Sequence, residues 1–343
     1  MKSIQIILTM FVLPFLVFSS VNTSGDVIGN PDGSYDVTMA TVYFHYEPDG
    51  TITISQFGVS ATSVERNVVF TFIEGGPFNP LQPPIQQGRT VSVSGANASL
   101  DAHDNHHATM VYRAESQNSL TFSLDSKMGA ISSGSTVLLG NDKIRADLVV
   151  SNQRTITKSV DVLNIRLESD DVAIFRVQGP IGSVSDLLSS GTIRAEIDVR
   201  TTDHRLDYDL TSYKQNALIS IDSIASSKAS FSFSDIGSDG MFIIDLSQEL
   251  YTTLKGHTTI SVDGKQIGRY SDLKDLESQQ DPGFVIAEGS EYVEMVVRPG
   301  ADLGSLIIDN VVPGLDAVVV ITAMASVALS VAAAVYLFRG KRQ

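Results

Sequence analysis

A mainly β fold is what this sequence predicts, with antiparallel β-sandwich-like ectodomain domains between an N-terminal signal peptide and one C-terminal transmembrane helix. Three observations predict it. Alternation of β-branched and aromatic residues with polar ones recurs at a spacing of about 8 to 15 residues, broken by Gly, Pro, Asn and Asp, as strands separated by turns require. Helical periodicity is confined to two short segments. The two long apolar runs, 4–18 and 317–338, lie near the ends of the 343 residues and do not alternate.

Taken in order, the chain begins with Lys2 and a core of about 15 apolar residues, followed by Ser19-Ser20-Val21-Asn22-Thr23-Ser24. One cation, an apolar stretch too short to span a bilayer and a small-residue zone make a secretory signal, so residues 1–23 are expected to be cleaved. Residues 35–46 then alternate up to Glu47-Pro48-Asp49-Gly50, and the period of two resumes over 51–55, a hairpin signature. Further strands are expected at 67–73, 90–94, 109–113, 119–124, 136–139, 143–150, 155–167, 172–177, 192–199 and 217–221. The segment 75–87 holds four prolines and little alternation, which predicts a long irregular loop. Residues 182–191 and 270–276 suit short capped helices, the first ended by Gly191.

A soft boundary is expected near 226–235. It leaves an antiparallel β region over 24–228, either one long sheet or two sandwiches, and a small membrane-proximal β-sandwich over 229–311. The latter has strands expected at 229–233, 241–246, 258–262, 283–287, 292–297 and 305–308, with turns that include Asp239-Gly240, Asp263-Gly264 and Pro299-Gly300.

The run 317–338, bounded by Ala317 and Phe338, has 22 residues and no charge. As a helix it is about 33 Å long against a hydrocarbon core of about 30 Å, so it predicts a membrane span. Arg339, Lys341 and Arg342 follow it in the basic tail 339–343, which the positive-inside rule assigns to the cytoplasm. The expected location is therefore the cell membrane, single-pass, with the ectodomain outside. Val312-Pro313-Gly314-Leu315, the apolar run and the basic cluster together resemble the three-part C-terminal sorting signals of archaeal surface proteins. Leu315 stands where the best-known version of that motif has Phe. The resemblance implies display on the cell surface and replacement of the helix by a lipid; the alternative is an ordinary transmembrane helix after a Pro-Gly turn. The arrangement of 229–311 is similar, more diffusely, to the membrane-proximal β-domains of archaeal surface proteins.

Composition agrees with an exterior location. The chain has no cysteine, so the ectodomain rests on a packed core without disulfides. The net charge is −15, and setting aside the four cations Lys2, Arg339, Lys341 and Arg342 leaves the exterior part near −19. Such a surface excludes nucleic acid and anionic lipid as partners.

Chemistry-bearing residues are few. His103-Asp104-Asn105-His106-His107 concentrates three of the six histidines. Imidazoles at that spacing meet on a tight turn around zinc, copper or nickel, so His103, His106 and His107 are the candidate metal ligands; the competing reading is a solvated polar loop between strands. Asn30-Pro31-Asp32-Gly33, the segment 168–171, the segment 235–240 and the Asp203, Asp207, Asp209 series offer oxygens for calcium, although Asp-Gly pairs are turn formers first. Asp203, Asp207 and Asp209 lie an even number of steps apart, which in a strand makes one acidic stripe. Asn97-Ala98-Ser99 is a glycosylation sequon in a turn, and Asn22-Thr23-Ser24 is a second that survives only if cleavage falls before it. No nucleophile elbow or phosphate loop is present, and neither catalysis nor a cofactor beyond calcium is expected. The function these features predict is a non-catalytic, membrane-anchored cell-surface protein acting as an interaction, adhesion or envelope module, with a surface protein or glycan as partner. The alternatives are a lipid or small apolar ligand carrier on a curved sheet and, behind it, an extracellular metal-dependent hydrolase using His103, His106 and His107.

Overall fold

In the computed structural model the described residues are 26–39, 42–48, 52–57, 70–74, 83–95, 98–124, 129–140, 145–154, 156–159, 162–202, 205–225, 228–251 and 258–309. The expected signal peptide, the sequon residues Asn22 and Asn97, Asp203, the span bounded by Ala317 and Phe338 and the tail with Arg339, Lys341 and Arg342 lie outside them. Among the described residues no helix is long and apolar enough to cross a membrane.

The first half runs β1 (Asp26–Gly29), β2 (Tyr35–Thr38), β3 (Val42–Tyr46), β4 (Ile52–Phe57), β5 (Phe70–Glu74), β6 (Ile85–Gln87), β7 (Thr90–Ser94) and β8 (Ala98–His103). It continues with β9 (Met110–Ala114), β10 (Asn118–Leu124), β11 (Gly129–Ser133), β12 (Thr136–Gly140), β13 (Arg145–Val150), β14 (Ile156–Ser159), β15 (Val162–Leu167) and β16 (Val172–Val177). These make two sheets, ordered β1-β2-β3-β4-β5-β10-β15-β14 and β11-β12-β13-β16-β9-β8-β7-β6. One core lies between them. Val37, Phe44, Leu120, Phe122, Leu163 and Ile165 of the first meet Val91, Leu100, Tyr112, Leu148 and Phe175 of the second, all buried.

A short helix α1 (Ser185–Ser189) leads into β17 (Ile193–Thr202), β18 (Arg205–Ser212), β19 (Leu218–Ala225), β20 (Lys228–Ser234), β21 (Met241–Ser247), β22 (Thr259–Val262), β23 (Lys265–Gln266) and β24 (Gly268–Arg269). Helix α2 (Leu273–Ser278), β25 (Gly283–Glu288), β26 (Tyr292–Arg298) and β27 (Gly304–Asp309) complete it. Two further sheets result, β18-β17-β21-β26-β25-β24 and β19-β20-β27-β22-β23. Phe231, Phe242, Ile244, Phe284, Met295 and Leu306 fill their common core. Pairing is antiparallel except at β17–β21 and β24–β25, which are parallel.

The mainly β, antiparallel expectation holds. The boundary differs: residues 193–225 belong to the same two sheets as 228–309, and the expected 228/229 division falls at the β19–β20 hairpin. The change of sandwich lies at 178–192 instead. The connection between the sandwiches carries a short helix whose apolar residues Leu187 and Leu188 are buried. Residues 35–46 and 155–167, each read as one strand, are hairpins, β2–β3 and β14–β15. Both expected helices form. Gly191, at φ 70°, closes α1, its N–H donating to Leu188 O (3.0 Å) and that of Thr192 to Leu187 O (2.8 Å). Asp272 caps α2 by accepting from Asp275 N.

A third apolar cluster joins the sandwiches. Val111, Val149 and Ile174 from the first pack with Ile193, Met241, Ile243, Val285 and Val296 from the second. The molecule is therefore four sheets deep, and its two inner sheets are covered on both faces.

Candidate metal centre

A strand covered on both faces sends alternate residues into two different interiors. In β16, Ala173, Phe175 and Val177 enter the first core, so Ile174 and Arg176 face the second sandwich. In β17, Ala195, Ile197 and Val199 enter the second core, which turns Glu196 and Asp198 toward the first. Asp245 in β21, between Ile244 and Leu246, and Glu294 in β26, between Val293 and Met295, follow the same rule. All five of these charged residues are buried.

The first sandwich supplies the opposite charge from Arg89, Arg176 and the loop 104–109. Asn105 shapes that loop: its Oδ1 accepts from His107 N (3.1 Å) and Thr109 N (3.0 Å), and Ala108 takes a positive φ of 45°. Asp104, Asn105, His106 and His107 are buried, as is His103 at the end of β8. The solvated-loop reading is corrected accordingly. The histidines leave water because carboxylates of the second sandwich receive them.

Three groups of contacts cross the seam. His103 Nδ1 lies 3.0 Å from Asp209 Oδ2, and Thr90 Oγ1 donates to Asp209 Oδ1 at 2.7 Å. Arg89 Nη1 donates to Asp198 Oδ1 at 2.9 Å, while the backbone N–H and Nδ1 of His106 both meet Asp198 Oδ2. His106 also stacks on Tyr292, ring centroids 4.2 Å apart. Arg176 bridges two acids, Nε to Glu196 Oε2 at 2.8 Å and Nη2 to Glu294 Oε1 at 2.7 Å. Against the effect of burial, Arg89, His106 and Arg200 hold Asp198 well below the usual carboxylate range. Burial keeps His106 below its ordinary value in spite of Asp198.

His107 sits deepest. Its Nδ1 faces the carbonyl of Val177 at 2.9 Å, so that nitrogen carries a proton. Nε2 then points among carboxylates, 3.2 Å from Asp245 Oδ2, 3.6 Å from Glu294 Oε1 and 4.0 Å from Glu196 Oε1. His107, Asp245 and Glu294 can each offer one ligand atom within 4.8 Å of the others. Among the described residues Asp245 Oδ1 has no hydrogen-bond partner, and the 3.2 Å approach of His107 Nε2 to Asp245 Oδ2 falls short of good hydrogen-bond geometry. Burial drives the Asp245 carboxyl well above its ordinary pKa, and neighbouring Glu196 and Glu294 add to that. Tyr213 OH donates to Glu196 Oε2 (2.7 Å) and Ile181 N to Glu294 Oε2 (2.9 Å), fixing those two acids. Gly179 roofs the cluster so closely that a Cβ there would strike Glu294 Oε2 and His107 Cε1.

The structure does not bring His103, His106 and His107 to one point. Each faces a different acid, and of the three His107 alone shares a candidate ligand set. The acidic stripe is not a solvated one: Asp209 is buried and Asp207 lies 3.7 Å from Arg89 Nε. The Asp-Gly and related segments use their oxygens on turns and on neighbouring strands and loops. Asp32 accepts from Ser34, Asp171 from Asn152, Arg154 and Glu168 N, and Asp263 from Ser305 N. Asp263 and Gly264 both take positive φ between β22 and β23, as a two-residue hairpin turn demands.

Glu196, Asp245 and Glu294 escaped the sequence reading, yet a signal for them exists. Asp245 and Glu294 are each the single acid inside an otherwise largely apolar strand, as in Met241-Phe242-Ile243-Ile244-Asp245-Leu246, whereas Glu196 shares β17 with Asp198 and two arginines and stands out less. An isolated charge in a strand that is buried on both sides needs a partner.

No known family profile matches the chain, and no curated protein matches it. Among solved structures it is similar to a glycoside hydrolase family 81 protein from Clostridium thermocellum, with a TM-score of 0.41 and 10% identity over 84% of this chain. The match spans 38% of that enzyme's chain. A neighbour named as a hydrolase runs against the expected non-catalytic interaction, adhesion or envelope module, and that expectation is withdrawn as a correction. At this level of similarity the neighbour transfers neither a fold nor an activity. The carrier alternative is withdrawn with it, because the two sheets of the first sandwich meet over a shared side-chain core.

Proposed function

We propose that this is a divalent-metal-binding protein in which one structural ion, held by His107, Asp245 and Glu294, fastens two β-sandwiches together. The observation that carries the reading is the buried convergence of His107 Nε2, Asp245 and Glu294 ligand atoms, with Asp245 Oδ1 unpartnered among the described residues and Oδ2 facing His107 Nε2 at 3.2 Å. The spacing supports it. Ligand atoms about 2.1 Å from a tetrahedral ion lie about 3.4 Å from one another, close to the 3.2 and 3.6 Å found from His107 Nε2. Charge supports it as well: Glu196, Asp245 and Glu294 are balanced by Arg176 and a divalent ion around a neutral imidazole. An imidazole nitrogen beside carboxylates favours a first-row ion such as zinc or manganese over calcium. In a chain without cysteine, such an ion is the available cross-link. Full burial of all three ligands makes it a structural ion rather than one that meets substrate.

Without the ion, protons on His107 and Asp245 would close the same charge balance, and the raising of the His107 pKa to about 9 favours that second reading. Elemental analysis of the full chain, purified without chelator, separates the two. The expected result is one zinc or manganese per chain, lost in Asp245→Asn. Metal-free protein that stays so after incubation with zinc and manganese would leave the proton-closed cluster.

A further inference from the structure

We infer that Arg298 is the anchor of a second site, which binds a small ligand through an oxyanion group, a carboxylate or a phosphate. This goes beyond the metal centre and does not depend on it. Arg298 is the last residue of β26, on the strand face shared by Glu294 and Val296, beyond the point where the first sandwich covers that face. Its residue is 7% exposed, yet Nε and Nη1 have no hydrogen-bond partner among the described residues. No carboxylate oxygen of the described residues forms an ion pair with it, in contrast to Arg89, Arg176 and Arg200 in the seam.

Glu277, on the wall of the neighbouring cavity, acts on Arg298 electrostatically but forms no ion pair with it, and a guanidinium so far from water without a directly paired anion is costly. What lies beside Arg298 instead is a cavity of about 450 Å³, lined also by Ser238, Glu277, Gln279 and Gln280. That volume is within the range of small-ligand pockets, and the hydroxyl and two amides add neutral donors around the cation. Asp239, on the same wall, is already paired with Arg194 at 3.0 Å. One end of the cavity is closely packed: a Cβ on Gly300 would strike the Pro282 ring, which sets the turn after β26 against the segment after α2. Guanidinium groups select planar or tetrahedral oxyanions because their N–H groups match those oxygens in geometry as well as charge.

The test is thermal unfolding of the full chain against increasing sodium acetate, sodium phosphate and sodium chloride at matched ionic strength. A saturable rise in Tm with acetate, with phosphate or with both, absent with chloride, is the expected result, and the active salt identifies the ligand group. Arg298→Met should abolish the saturable rise. Because that variant removes a buried side chain, the double variant Ser238→Ala/Gln280→Ala is measured beside it and should raise the half-saturating concentration at least threefold while folding normally. Three salts that behave alike in the native protein, or a rise that survives both sets of substitutions unchanged, would overturn the site.

Discussion

The seam works through individual charge pairs whose value depends on being out of water. His103 and Asp209 show this best. Burial opposes the charged form of both, but each partner more than offsets it, so His103 titrates above its ordinary 6.5 and Asp209 below its ordinary 3.8. Asp101 and Glu196 act on His103 in the same direction as Asp209, and Arg89 acts on Asp209 with His103. A raised histidine stabilises the fold fully below pH 6.5 and loses that contribution as pH climbs through its folded value. A lowered aspartate stabilises above pH 3.8 and loses it as pH falls through its own. Urea midpoints of the native protein and His103→Gln, compared from pH 5 to 9, should therefore converge on the alkaline side. A gap that stays constant across that range would refute the pairing. His103 was visible in the sequence as a notable residue, but its partner is 106 positions away, so its burial was not.

At the scale of elements, period-two alternation located strands well wherever one face meets a core, as in β7, β10 and β16. It could not say what covers the other face. The connection after β16 shows the same limit, since Gln178-Gly179-Pro180-Ile181-Gly182 reads as an ordinary turn. In the fold it presses on Glu294 and His107, with Val177 O and Ile181 N holding those two side chains. Gly179→Ala inserts a methyl group where there is no room. We expect a loss of about 1 to 3 kcal/mol in urea unfolding, the usual cost of overpacking, together with reduced metal content. Unchanged stability and metal content would show that the roof over the cluster yields easily. The same change at Gly264, whose added Cβ meets nothing within 4 Å, carries only the strain of its positive φ and should leave metal content unaltered.

For the whole molecule, the acids of the second sandwich, Glu196, Asp198, Asp209, Asp245 and Glu294, face Arg89, Arg176, His103, His106 and His107 of the first. Separating the halves would expose these charges and the apolar cluster around Ile174 and Ile243 together. The two sandwiches are thus expected to unfold as one unit while the ion is bound. Calorimetry should show a single transition for the metal-loaded chain, resolving into two at lower temperature in chelator. An ion at 100 times its Kd contributes about 2.7 kcal/mol to such a joint. One unshifted transition under both conditions would assign the joint to the ion pairs and apolar cluster alone. By itself the sequence determined the mainly β class, most strand positions and both short helices, because these follow from local periodicity, turn residues and caps. Only the tertiary structure decided where one sandwich ends, that the histidine loop is buried, and that lone acids such as Asp245 and Glu294 gather around His107. The physical reason is that the protonation, burial and ligand capacity of a charged side chain are set by neighbours brought together in space from distant strands, and local pattern holds no record of which strands those are.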